Sequence, residues 1–100
     1  MPVKHVLKPT DMYMTCGVRD AMQTNAQFAY EVGQCTCRHF QGDWGDVCPE
    51  DAKANVQSLV DGSRIMSSYK LDSHEIWIIT EAADEKGERS TTTILFPEEY

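Results

Sequence analysis

Residues 63–97 read SRIMSSYKLDSHEIWIITEAADEKGERSTTTILFP, and the pattern of a sheet runs through them. Ile65, Ser67, Tyr69 and Leu71 alternate with Arg64, Met66, Ser68 and Lys70. Ile76 and Ile78 alternate with Trp77 and Ile79, and Thr92, Ile94 and Phe96 with Thr91, Thr93 and Leu95. A period of two, rich in β-branched and aromatic residues, is the pattern of strands. Asp72, Ser73 and His74 are short enough for a hairpin link, and the charged segment AADEKGER makes a longer glycine-containing one. The expectation is a three-stranded antiparallel meander over residues 63–97, ended by Pro97. Its middle strand carries bulky apolar residues on both faces, so it should be the most enclosed.

Working outward toward the N-terminus, the period changes to that of a helix. Pro49 suits a first helical position, Glu50 and Asp51 favour the positive end of the dipole, and Gly62 suits a left-handed stop. The helix so bounded spans about 49–61. Ala52, Val56, Leu59 and Val60 form its expected inward stripe, with Lys53, Gln57 and Asp61 on a polar row. Before it, Phe28, Val32, Cys35 and His39 recur at intervals of four, three and four, placing them on one inward face. Thr24 and Gln27 have the spacing of a capping box, so that helix should start near Asn25 and end before Gly42. Thr15 caps a shorter helix through GVRDAM. Residues 1–14, with Pro2 and Pro9, show no sustained period and are read as an irregular lead-in. The whole is an α+β chain of one domain, 1–100, with helices over 15–61 packed on one face of the three-stranded sheet.

Composition bounds the function. Hydrophobic residues make up 41% of the 100 and charged residues 25%, a globular balance. The net charge is −7, with four bases against six acids in residues 1–50 and five against ten in residues 51–100. No basic stripe exists to displace counterions from a phosphate backbone, so direct nucleic-acid binding is not expected. An acidic surface can instead dock on a basic protein. No apolar run is long enough to span a bilayer, and the start lacks a signal-peptide core, which gives a cytoplasmic expectation with no membrane partner. Reduced rather than paired thiols are then expected for Cys16, Cys35, Cys37 and Cys48.

Three constellations could carry chemistry. Asp43, Trp44, Gly45 and Asp46 place paired carboxylates beside an aromatic, as a hard-cation loop does, but without further spaced oxygen ligands. The competing reading is a connecting turn whose aspartates cap amides while Trp44 plugs the core. Cys35, Cys37, His39 and Cys48 have the ligand types of a zinc site. A CxC within a helix, however, points its thiols about 200° apart. Ser67, Ser68, His39, His74, Glu81 and Asp84 supply acid, base and nucleophile types, with Glu81 at a strand end and Asp84 soon after it foremost, although a strand-end carboxylate could simply pair with Arg64 or Arg89. No nucleotide, hydrolase or metalloprotease motif occurs, so no cofactor or metal is expected. Tyr69, Trp77 and Thr92, as cross-strand neighbours on an uncovered sheet face, would make a docking patch or a homodimer surface; the evenly weighted competing reading packs them under the helices. The binding candidates are therefore Asp43, Trp44, Asp46, Tyr69, Trp77 and Glu81.

GDWGDVCPED (42–51), SRIMSSYKL (63–71), IWIITEA (76–82) and the closing STTTILFPEEY (90–100) follow one another in an order that resembles a family of small bacterial proteins carried on plasmids and other mobile elements. Those relatives run G-D-W-G-D, a helix, a strand ending in S-A-Y, a W-I-I-T-E-A-D strand and a T-T-hydrophobic-P-E-(D/E)-Y ending, often under the label "plasmid related protein". The likeness covers roughly residues 15–100. It departs at the CTC of residues 35–37 and in the longer DEKGER loop. The resemblance implies a mobile-element setting; together with the acidic charge, the expectation is an accessory protein that binds another protein, with antagonism of a host defence system through acidic mimicry of nucleic acid as the form that suits both. The alternative expectation is a small metal-binding or hydrolytic module built on Asp43–Asp46 or on Cys35, Cys37, His39 and Cys48.

Overall fold

The computed structural model describes residues 6–100. In chain order the elements are β1 (Asp11–Met14), α1 (Cys16–Thr24), α2 (Ala26–Phe40), α3 (Pro49–Asp61), β2 (Ile65–Lys70), β3 (Glu75–Thr80) and β4 (Thr91–Leu95), followed by a 3-10 turn at Pro97–Glu99. The α+β class stands, but the sheet differs from the expected meander. It has four strands in the order β1-β4-β3-β2, with β1 parallel to β4 and the other pairs antiparallel. The supposed irregular lead-in thus supplies an edge strand at residues 11–14; its first five residues lie outside the described residues. DMYM gave no period because it is exposed at every position. It holds its place through the backbone ladder to Thr91–Ile94 rather than through burial.

Register assigns every strand residue to a face. Ile65, Ser67 and Tyr69 lie opposite Thr80, Ile78 and Ile76, and Thr92 and Ile94 lie opposite Thr80 and Ile78. This is the face that α1 and α2 cover. Val18, Phe28, Val32 and Cys35 from the helices meet Tyr69, Ile76, Ile78, Ile94 and Phe96 in one apolar core. The inward face read for α2 is accordingly buried. Its cap is not Thr24, which is the last residue of α1 and bonds back to Asp20 and Ala21. Asn25 alone separates the two helices in extended conformation, and its side chain accepts from the Phe28 N–H at 3.1 Å.

The bounds of α3 match the sequence reading, with Gly62 at φ 82° ending it. Its inward stripe does not. Val56 and Val60 are exposed, whereas Asn55 and Ser58 are buried. The reason is what the helix covers. Ala52 and Leu59 pack on a second cluster of Leu7, Phe40, Trp44 and Ile65, but Asn55 faces the free edge of β2. Its amide donates to the Met66 carbonyl at 2.8 Å and its carbonyl accepts from the Met66 N–H at 3.3 Å. A helix laid against a strand edge must offer hydrogen bonds there, so a polar residue displaces the apolar one that periodicity favours.

Candidate functional site

The turn after α2 completes the same edge. Trp44 accepts from the Ser68 N–H at 3.2 Å, Asp46 donates its N–H to the Ser68 carbonyl at 2.6 Å, and the Asp46 carboxylate accepts from the Lys70 N–H at 2.8 Å. With Asn55 on Met66, each residue of β2 that faces away from β3 is engaged. Gly45 makes this approach possible. Its φ is 72°, and a Cβ there would run into the Ser68 carbonyl and the Tyr69 ring. Asp43 accepts from the Gly45 N–H at 3.1 Å and pairs with Arg38 at 2.7 Å. The Arg38 guanidinium holds the Asp43 carboxyl below its ordinary range. The Asp43 carbonyl accepts the Tyr69 hydroxyl at 2.7 Å, and Arg38 lies over the Tyr69 ring at 4.8 Å from its centre. Burial pushes the Tyr69 phenol up. Asp43, Trp44, Asp46 and Tyr69 are therefore brought together, with Trp44 buried and the aspartates spent on Arg38 and on backbone amides.

A second constellation lies under the helices. His39, wholly buried, places Nδ1 2.5 Å from Ser67 Oγ and Nε2 2.8 Å from Thr80 Oγ1. Thr80 Oγ1 is 2.8 Å from Thr92 Oγ1, which is 2.6 Å from Thr10 Oγ1. A neutral imidazole has one donor and one acceptor, and hydroxyls on both sides satisfy it in either tautomer. Burial pushes the His39 pKa down from 6.5 to about 4. The chain of polar groups crosses the sheet from β2 to the residue before β1. Its signal was present in the sequence: Ser67, Thr80 and Thr92 are the polar residues among the inward positions of three strands, facing a histidine on the inward stripe of α2.

The remaining candidates are dispersed. Trp77 lies opposite Ser68 and Leu95, on the face away from the helices, whereas Tyr69 and Thr92 lie on the helix-covered face, so the three are not neighbours on an open surface. The Tyr100 ring packs edge-on to Trp77 at 5.5 Å and its hydroxyl accepts from Arg64 at 2.9 Å. Glu81 is exposed, and neither arginine pairs with its carboxylate. Arg64 goes to Tyr100, while Arg89 donates to the carbonyls of Ser58, Ser63 and Glu81 and ties the long hairpin to the end of α3. Cys35 is buried in the core, where desolvation raises its thiol pKa, and Cys37 is exposed. Both nitrogens of His39 are occupied. Among the described residues no three His, Cys, Asp or Glu side chains converge as a metal ion would require, and no helix is long and apolar enough to cross a membrane. No family model, curated protein or solved structure matches the chain.

Proposed function

We propose that this chain is a non-catalytic protein-binding module, a cytoplasmic accessory of a mobile element that docks an acidic surface on a basic protein, with a host defence protein's nucleic-acid groove as the target class. The observation that carries this reading is where the reactive groups sit. His39 and Ser67 form a close pair, but both are fully enclosed, and none of the main surface recesses is lined by either. Ser73 and His74 meet at 2.8 Å on an exposed hairpin turn, where His74 stacks on Phe96 and lies tilted against Phe28. Catalysis needs such a pair in a site that excludes water around a substrate, and neither offers one.

The outer surface favours recognition by charge. Glu81, Asp84, Glu85 and Glu88 on the long hairpin are exposed, and the Ala83 N–H bonds the Gly62 carbonyl, bringing that hairpin beside Asp61. The resemblance to plasmid-borne proteins agrees with such a role. Affinity capture from the bacterial host tests it, with salt and duplex DNA as competitors. A retained nucleic-acid-binding protein that DNA displaces and salt weakens is the expected result. No protein above background, or a partner indifferent to both competitors, would contradict the reading.

A further inference from the structure

The two edges of the sheet are treated differently, and the bare one specifies its own occupant. Along β1, Asp11 donates its N–H to the Ser90 carbonyl at 3.2 Å and Thr15 donates to the Ile94 carbonyl at 3.1 Å. The alternation of a strand then turns the N–H and C=O of Met12 and Met14 away from β4. Among the described residues nothing bonds them. Met12 is 43%, Tyr13 56% and Met14 42% exposed, an apolar run on an edge that carries neither lysine nor proline to blunt it. Alongside it on the helix side lies a recess of about 180 Å³ lined by Pro9, Thr10, Met12, Thr36 and Phe40.

We propose that β1 pairs antiparallel with β1 of a second copy, about a two-fold axis through Tyr13, so that the two sheets become one. The register follows from which groups are free. Only an axis through Met12, Tyr13 or Met14 sets outward-facing residues against one another. Within β1, the Tyr13 axis pairs Met12 with the second copy's Met14 and Met14 with its Met12, giving four backbone hydrogen bonds where the other two give two. It also sets Tyr13 against its twin on one face, an aromatic cross-strand pair. On the other face, Met14 of the second copy falls beside Met12 at the apolar recess, and an unbranched thioether suits such a gap. The single acid of the strand, Asp11, falls opposite Thr15 rather than opposite itself. Self-association of this kind is independent of the partner proposed above and uses the sheet edge opposite the one that α3 covers.

Sedimentation equilibrium of the full chain from micromolar to millimolar concentration is the test. The expected result is a dimer of twice the 11.3 kDa chain, tightened by added salt because each copy carries net charge −7. Met12→Pro removes an outward N–H without touching the ladder to β4 and should weaken the dimer about tenfold or more with an unchanged circular dichroism spectrum. Met12→Lys, which keeps the backbone donor but lodges a charge at the recess, should weaken it also and serves if the proline variant does not fold. Tyr13→Cys should give a disulfide between the two copies of residue 13, identified by peptide mass spectrometry, faster than Met12→Cys joins the two copies of residue 12. The opposing residues of a non-hydrogen-bonded antiparallel pair are about as close as a disulfide requires. A chain monomeric at every concentration and salt would overturn the proposal, whether or not a strand of another protein pairs there. So would proline and lysine variants that dimerise like the parent, or faster joining at residue 12.

Discussion

The sheet ends in two edges that face the same physical problem, a row of backbone donors and acceptors that must find partners. At β2 the chain solves it internally: Asn55 takes both groups of Met66, Trp44 and Asp46 take both groups of Ser68, and the Asp46 carboxylate takes the Lys70 amide. At β1 the described chain offers Met12 and Met14 nothing. The G-D-W-G-D turn, whose sequence offers a cation loop as one reading, is thus an edge cover whose carboxylates are engaged within the fold. With those side chains drawn inward, the acidic hairpin and the β1 edge are left uncovered, and the two proposals above rest on them.

The β2 edge is most vulnerable at Gly45. Gly45→Val puts a β-branched residue at φ 72° and drives its Cβ into the Ser68 carbonyl. Urea unfolding should show a loss of about 3 kcal/mol or more, the combined cost of backbone strain and a detached edge. Little change would mean that the turn does not hold β2.

Next in size is the polar chain that runs between the two edges. His39 has a folded pKa of about 4 against 6.5 unfolded, so between these values the unfolded state binds the extra proton. The stabilising contribution is complete above pH 6.5 and is lost as pH falls through about 4, some 3 kcal/mol in all by linkage. His39→Phe should remove that pH dependence between pH 6.5 and about 5.5, above the ordinary carboxyl values from which the lowered Asp43, Asp61 and Glu99 begin to lose their own contributions. An equally steep fall in the variant would assign the dependence to other groups.

Asn55→Ala leaves the Met66 amide and carbonyl without partners and should cost about 1–3 kcal/mol. Met12→Pro, on the bare edge, should change the stability of the monomer by less than about 0.5 kcal/mol. Equal effects at the two edges would erase the contrast. The smallest effect is expected at Arg38→Ala: its pair with Asp43 is half exposed, so a loss of up to about 1 kcal/mol is anticipated.

Much of this was legible in the sequence, for reasons that follow from burial. Three strands alternate because one face of each is roofed by helices, and Phe28, Val32, Cys35 and His39 recur because α2 does the roofing. What escaped is what backbone geometry decides without burial. Asp11–Met14 pairs only through its main chain, and the inward side of α3 is set by a strand edge that needs Asn55, so Val56 and Val60 mislead. The same holds for the candidate site. Asp43, Trp44 and Asp46 stand out locally as a turn, but their partners Ser68, Tyr69 and Lys70 lie more than twenty residues away, and no local spacing announces them. The hydroxyls facing His39 could have been found by aligning the inward positions of three strands, which requires the register first.

Amide hydrogen exchange followed by NMR tests the unequal edges most directly, residue by residue and as a function of protein concentration. At low micromolar concentration the Met66, Ser68 and Lys70 amides should exchange slowly and those of Met12 and Met14 freely, with the latter pair gaining protection as concentration rises. Free exchange at Ser68 and Lys70, or Met12 and Met14 amides equally protected at every concentration, would contradict the account.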